Sequence, residues 1–317
     1  MTVLILADDL DPSVDAMIVE LDRRGVPVVR LNTERFPQRL TLDAEFCSGR
    51  WVGTLRTTER HVELAGIRGV WRRSPTTFRF PVELTASERQ HAHTEAKLGL
   101  GGVLMSLPVR WINSPDHVAT AGYKPIQLCT AAVAGLAVPA TLITNCAPAV
   151  RRFTANREVV TKMLGAPSIH EAGGRRVAYT ELLTAQLVAD LDGIEHTANQ
   201  FQQWVSKDHE ARVIAVGEKL FSVAIYAHSA AAKVDWRTDY ASLSYAVIEL
   251  PEAVAAGIRQ IMRSLHLSYG AFDFVIDGDN QWWFLEINPG GQYGWLEEQA
   301  GIPVTSAIAD LLTGGCS

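Results

Sequence analysis

Apolar and polar positions along the first hundred residues follow three rhythms. Val3–Ala7 is an unbroken apolar run, the pattern of a strand covered on both faces of a sheet. Asp11-Pro-Ser-Val opens a helix that runs to about Arg24, with Pro12 tolerated in its first turn. Gly25 closes it and Val26–Leu31 returns as a second strand, which gives the strand–helix–strand unit of a parallel sheet. From Leu40 to Val70 the runs become short and alternating, as in antiparallel strands. Residues 86–107 then read as a helix with Thr85 or Ser87 as its cap.

A boundary is expected near Asn113-Ser-Pro115. Beyond it the pattern predicts a helix around 120–134, strands at 138–144 and 159–164, and a hairpin or mobile loop at Gly173-Gly174. The remainder alternates strands (201–206, 211–216, 219–226, 271–276, 282–287) with one helix at 251–267. The expected units are 1–113, 114–200 and 201–317, an α/β (α+β) chain with separate cores.

Composition narrows the function classes. Hydrophobic residues make up 47% and charged residues 20% of 317, a globular balance. A net charge of −6 argues against a nucleic-acid coat protein. No apolar run reaches the ~18 residues of a membrane span. The N-terminus lacks the basic start and long apolar stretch of a signal peptide. Cys47, Cys129, Cys146 and Cys316 are scattered without metal-ligand spacing, and reduced thiols in a cytoplasmic protein are the expectation. The loop after the first strand carries Asp8, Asp9 and Asp11 where a dinucleotide site needs glycines, so the opening unit does not imply one. The histidines show no ligand spacing and are read as structural.

The segment Phe272–Gly290 carries the chemistry. Two strands flank a turn at Asp277-Gly-Asp-Asn280 and should pair as a hairpin. Asp273 alternates with Phe272 and Phe274, while Glu286 and Asn288 lie two apart and project to one side. A hairpin can gather these three oxygen donors. Two carboxylates and an amide make a hard, incomplete shell suited to Mg²⁺ shared with phosphate oxygens. The plainer alternative is a hairpin with exposed acids, which Asp277 and Asp279 fit.

The run Phe284-Leu-Glu-Ile-Asn-Pro-Gly-Gly-Gln292 resembles the closing metal-binding strand and loop of the ATP-grasp ligases, and the rest of the chain follows that family's order. The resemblance implies the ATP-grasp fold with an N-terminal α/β pre-ATP-grasp domain, and ATP and Mg²⁺ as cofactors. It implies Asp273, Glu286 and Asn288 as metal ligands and Lys124 and Lys162 as phosphate-binding lysines. An ammonium on an apolar strand, as at Lys162, in any case needs an anionic partner. Gln202, Gln203, Trp204 and Val205 correspond to the hinge whose backbone reads adenine. Glu210 and Arg212 match an acidic-x-Arg element, and Arg237 in Asp235-Trp-Arg237 is a second candidate arginine. Lys162, Arg212 and Arg237 would meet the charge that spreads over the transferring phosphoryl group. Tyr226-Ala-His-Ser229 departs from the family where a basic residue is usual, and Gln203 stands where glutamate is common.

Three further segments, Val70-Trp-Arg-Arg-Ser-Pro75, Gly135–Asn145 and Asp235-Trp-Arg237, resemble the maturases of graspetides, the microviridin-type ribosomal peptides. That resemblance implies a precursor peptide, leader plus acidic core, as partner. ATP phosphorylates its Asp or Glu side chains, and a Ser/Thr hydroxyl or Lys amine of the same peptide displaces the phosphate, giving ester or amide crosslinks. Arg72 and Arg73 could then meet the acidic peptide, or form a solvated basic edge. Neither nucleic acid nor membrane is an expected partner, and such enzymes are often homodimers. Two alternatives stay open: a ligase that adds a free amino acid to a peptide or protein carboxylate, and a nucleotide-binding regulatory protein on the same fold.

Overall fold

The computed structural model describes residues 1–165, 168–171 and 174–314, with 168–171 and 174–176 described by backbone alone. Gly173 and Cys316 lie outside the described residues.

The first region contains β1 (Thr2–Ala7), α1 (Pro12–Arg23), β2 (Val28–Leu31), β3 (Thr41–Cys47), β4 (Arg50–Arg56), β5 (His61–Glu63), β6 (Ile67–Arg73), α2 (Ala86–Met105) and β7 (Arg110–Ile112). Strands β2-β1-β6-β7 form a parallel sheet, and β3-β4-β5 a small antiparallel one. The Asp11 carboxylate caps α1 by accepting from the Ser13 N–H at 2.9 Å, and Gly25 at φ +67° turns the chain into β2. Thr85, not Ser87, caps α2. Its hydroxyl accepts from the Glu88 N–H while Glu88 accepts from the Thr85 N–H at 2.8 Å, a reciprocal box.

Next come α3 (Pro115–Ala121), α4 (Lys124–Val133), β8 (Thr141–Thr144), α5 (Ala147–Thr154), β9 (Val159–Lys162), β10 (Ser168–Glu171), β11 (Gly174–Val177), β12 (Glu181–Leu182), α6 (Ala185–Ala189) and β13 (Asn199–Gln203). The expected helix at 120–134 is two helices. The chain breaks at Gly122-Tyr123, so that Lys124 starts α4 instead of lying within a longer helix. Strands β12-β9-β13-β8 form an antiparallel sheet, and β10 pairs with β11 as the hairpin expected around residue 173.

The last region holds β14 (His209–Val216), β15 (Lys219–Ala227), α7 (Ala230–Val234), β16 (Leu243–Val247), α8 (Glu252–Ser264), β17 (Tyr269–Ile276), β18 (Trp282–Asn288), α9 (Gly294–Ala300) and α10 (Val304–Thr313). Its antiparallel sheet runs β16-β15-β14-β17-β18. One face packs Phe272, Phe274 and Phe284 against Ile258 and Ile261 of α8. The other face contributes Ile214 and Tyr269 to a core shared with Val3 and Ile5 of β1, Met17 of α1 and Ile308 of α10. Arg24 fastens α10 to α1 through Asp310 at 2.7 Å and the Ser306 hydroxyl at 2.8 Å. Among the described residues no helix is long and apolar enough to cross a membrane.

Candidate active site

A cleft of about 1450 Å³ lies between the β12-β9-β13-β8 sheet and the five-stranded sheet. The sequence-predicted residues Lys124, Lys162, Gln202–Val205, Glu210, Arg212, Arg237, Asp273, Glu286 and Asn288 all line it.

On its floor, β14, β17 and β18 lie side by side. Asp273 stands opposite both Arg212 and Glu286 in register. The hairpin is not regular. Asp273 pairs with Glu286 and Phe274 with Phe284, so Leu285 is an extra residue that bulges from β18. That bulge decides the site. Trp282 and Phe284 face the aromatic core, and strict alternation would send Glu286 in with them. The extra residue shifts the parity, placing Ile287 in the core and Glu286 and Asn288 in the cleft.

Basic groups meet each carboxylate. Lys124 Nζ lies 2.7 Å from Glu286 Oε2 and also donates to the Met163 carbonyl at 2.8 Å. Burial alone would raise the Glu286 carboxyl, but Lys124 and Lys162 outweigh it and hold the group at about 2. Arg212, 6% exposed, reaches Asp273 Oδ1 at 3.2 Å. Burial still wins at Asp273, whose pKa stands above the ordinary carboxylate range. Burial likewise pulls the Lys162 ammonium down to about 8, against the attraction of Glu286 and with the repulsion of Lys124 and Arg237. Arg237 grips Asp235 through Nε at 2.8 Å and a terminal nitrogen at 2.6 Å. Burial opposes the charge at Asp235 too, yet Arg237 keeps that carboxyl at about 2.

Glu210, expected at the cofactor, lines the cleft and pairs with Lys207, and burial raises its pKa despite that neighbour. Lys207 also stands 5.0 Å over the Trp204 ring. At the hinge the Gln203 and Trp204 amides already donate to Ala140 and Glu158 carbonyls, each at 2.8 Å.

Arg73 does not form a solvated basic edge. It is 2% exposed and donates to the Gly290 carbonyl at 2.6 Å, to the Gln292 side chain, and lies 3.3 Å from Asp11. It anchors the loop after β18 to the first domain. Gly291 in that loop approaches so closely that a Cβ would lie 2.7 Å from an Arg212 nitrogen and 2.6 Å from the Ala271 Cβ. Arg72 on the opposite face is half-buried, and burial lowers its pKa.

Two buried amides escaped the sequence reading. Asn113 donates to the Pro289 and Tyr269 carbonyls at 2.8 Å each and accepts from the Ser268 N–H at 2.7 Å. Gln127 on α4 binds the backbone of Ile287. The signal available for Gln127 was its place one helical turn after Lys124.

The donor set fits a hard cation only in part of its shell. Among the described residues no three His, Cys, Asp or Glu side chains gather as a metal cluster. Two carboxylates and the Asn288 amide, whose nitrogen sits 3.4 Å from Glu286 Oε1, leave the remaining positions to phosphate oxygens and water. The buried Arg212 Nε has no hydrogen-bond partner among the described residues, which suits an anion arriving beside it.

Comparison with known proteins agrees with this geometry. Residues 2–119 match the family described as the MvdD pre-ATP grasp domain. No curated protein sequence matches significantly. The fold is similar to a Chryseobacterium gregarium RiPP-associated ATP-grasp ligase solved in complex with ADP and a leader and core peptide. The two share 28% identity and a TM-score of 0.90 over 100% of this chain and 97% of that one. It is also similar to the macrocyclase MdnC from Microcystis aeruginosa MRC, bound with precursor peptide MdnA (28%, 0.87, covering 99% and 100%). The macrocyclase MdnB from the same organism resembles it at 26% identity and 0.81, over 98% of each chain. Cleft, donor set and these likenesses identify the chain as an ATP-grasp enzyme, an ATP-dependent carboxylate ligase that resembles the RiPP-associated ligases and opens with an MvdD-type pre-ATP-grasp domain.

Proposed function

We propose that this enzyme activates Asp or Glu side chains of a ribosomal precursor peptide, leader plus acidic core, and closes intramolecular ester or amide crosslinks. The observation that carries the reading is the one cleft into which Asp273, Glu286 and Asn288 project together with Lys124, Lys162, Arg212 and Arg237. The likeness to ligases solved with precursor peptides supports a peptide as the substrate.

Asp273, Glu286 and Asn288 would hold Mg²⁺, which supplies charge neutralisation on the phosphate oxygens when bound. Lys124 would leave Glu286 for a phosphate, and Lys162 would contact the same group from β9. The hinge at Gln202–Val205 would receive the adenine, with Val205 as the first residue beyond the amides already engaged. Glu210 acts through Lys207, keeping that ammonium beside the hinge tryptophan. Arg212 and Arg237 would face the γ-phosphoryl group, where charge spreads during transfer. That phosphoryl group moves from ATP to the peptide carboxylate, releasing ADP. A peptide hydroxyl or amine then attacks the acyl carbon, loses its proton and expels inorganic phosphate.

The test is to incubate enzyme, ATP, Mg²⁺ and the acidic Ser/Thr- or Lys-containing peptide encoded beside its gene, and to weigh the peptide. Each closed ring removes the mass of one water. A gain of one amino-acid residue in the presence of free amino acids would overturn the crosslinking reading in favour of amino-acid addition. Peptide of unchanged mass with ATP unconsumed would overturn both.

A further inference from the structure

β18 is an edge strand of its sheet, so the polar backbone groups on its outer side need partners from elsewhere. At Phe284 the N–H finds the Ala137 carbonyl at 2.8 Å. At Ile287 the partner is a side chain. Gln127 Oε1 accepts from the Ile287 N–H at 3.0 Å, and its Nε2 donates to the Ile287 carbonyl at 2.9 Å and to the Ala121 carbonyl at 2.6 Å. The residue is 3% exposed. Its amide thereby reproduces the paired donor and acceptor that a neighbouring strand would offer.

Ile287 separates Glu286 from Asn288. The core holds the Ile287 side chain, but apolar packing alone leaves the flanking peptide planes free to rock. Such rocking would swing the two cleft-facing side chains apart. Gln127 pins both polar groups of that residue and stands on the same helix as Lys124, whose ammonium meets Glu286. On the far side of the pair Asn113 fixes the Pro289 carbonyl, so the backbone is gripped at alternate residues.

We propose that Gln127 is a positioning residue for ligation, fixing the separation and direction of Glu286 and Asn288 toward the metal ion. The inference rests on the reading of those two residues as metal ligands. An apolar side chain of similar volume would fill the space but leave the Ile287 N–H and carbonyl buried without partners.

The experiment measures Mn²⁺ binding to the enzyme–ADP complex by electron paramagnetic resonance, which needs no turnover. Gln127→Met should weaken Mn²⁺ about tenfold or more, the range for groups that orient metal ligands. Its KM for ATP should rise alongside while the KM for peptide stays unchanged. Gln127→Glu keeps the volume and the acceptor for the Ile287 N–H but loses both donors. It should also bind Mn²⁺ more weakly, and decides the question should Gln127→Met not fold. Wild-type Mn²⁺ affinity in a folded variant, even one that melts earlier, would leave Gln127 a purely structural group and overturn the proposal. Glu286→Gln is run in parallel to separate the two readings. If it too binds Mn²⁺ normally, the metal assignment itself fails. If it alone is weakened, the fault lies with Gln127.

Discussion

Glu286→Gln is the sharpest perturbation the cleft offers. The side chain is 17% exposed and Lys124 lies 2.7 Å away. Its carboxyl is held at about 2 against an ordinary 4.5 even though burial works the other way. That difference corresponds to about 3 kcal/mol of preference for negative charge at this spot. A depressed carboxyl contributes its stability above pH 4.5 and loses it as pH falls through about 2, so at neutral pH the charge is fully present. The neutral amide keeps the shape and forfeits the charge. In the proposed metal-bound state Mg²⁺ would take the place of Lys124 beside this carboxylate, and loss of a ligand's charge should lower kcat on the order of a hundredfold, about 3 kcal/mol at 1.36 kcal/mol per decade. The assay is ADP release at saturating ATP, Mg²⁺ and peptide, beside a thermal melt without nucleotide. The melt should fall too, because the amide forfeits the charge that stabilises the fold beside Lys124 and Lys162, so turnover is read below the variant's melting temperature. Turnover within about threefold of wild type would refute the metal role of Glu286.

Three more outcomes follow from other contacts. Arg212→Ala should lower kcat more than it raises the KM for ATP, and should also cost about 3 kcal/mol of stability, since the buried Asp273 loses its partner; urea unfolding with ADP-release kinetics checks both. Asp235→Asn should cost about 2 kcal/mol at pH 7, because its carboxyl sits at about 2 against 3.8. That contribution is present above pH 3.8 and vanishes as pH falls through about 2, so an unfolding penalty independent of pH would contradict the assignment. Arg73→Met should destabilise the protein by about 3 kcal/mol by leaving Asp11 and the Gly290 carbonyl unpaired, and chemical denaturation at neutral pH reads it.

Much of this was legible in the chain. Val3–Ala7 read as a strand covered on both faces, and Thr85, one of two candidate caps, marked the start of the helix after it. The donors Asp273, Glu286 and Asn288 were readable because carboxylates and an amide interrupt apolar strands where nothing structural calls for them. Their common face was inferred from even spacing, yet even spacing by itself would have buried Glu286 beside Phe284. Alternation cannot reveal a bulge, since the extra residue Leu285 is apolar like its neighbours and its effect appears only when two strands are paired. Arg73 misled for a related reason. A guanidinium on a strand reads as exposed until the carbonyls of a loop more than two hundred residues away are seen around it. Asn113 and Gln127 are silent in one dimension because their partners are backbone groups, which every residue carries.

The core that joins β1, α1 and α10 has a bearing on how the protein is made. Val3 and Ile5 leave the ribosome about three hundred residues before Ile308 and Leu312, which cover the same face. At ~5–20 residues per second the opening sheet waits tens of seconds with that face uncovered. The closing event is a long-range one, Arg24 meeting Asp310 and Ser306 as α10 docks. Synthesis of this enzyme therefore has a vulnerable interval built into its order of elements, and a chain truncated before residue 304 would expose the apolar face of its first strand to chaperones and proteases.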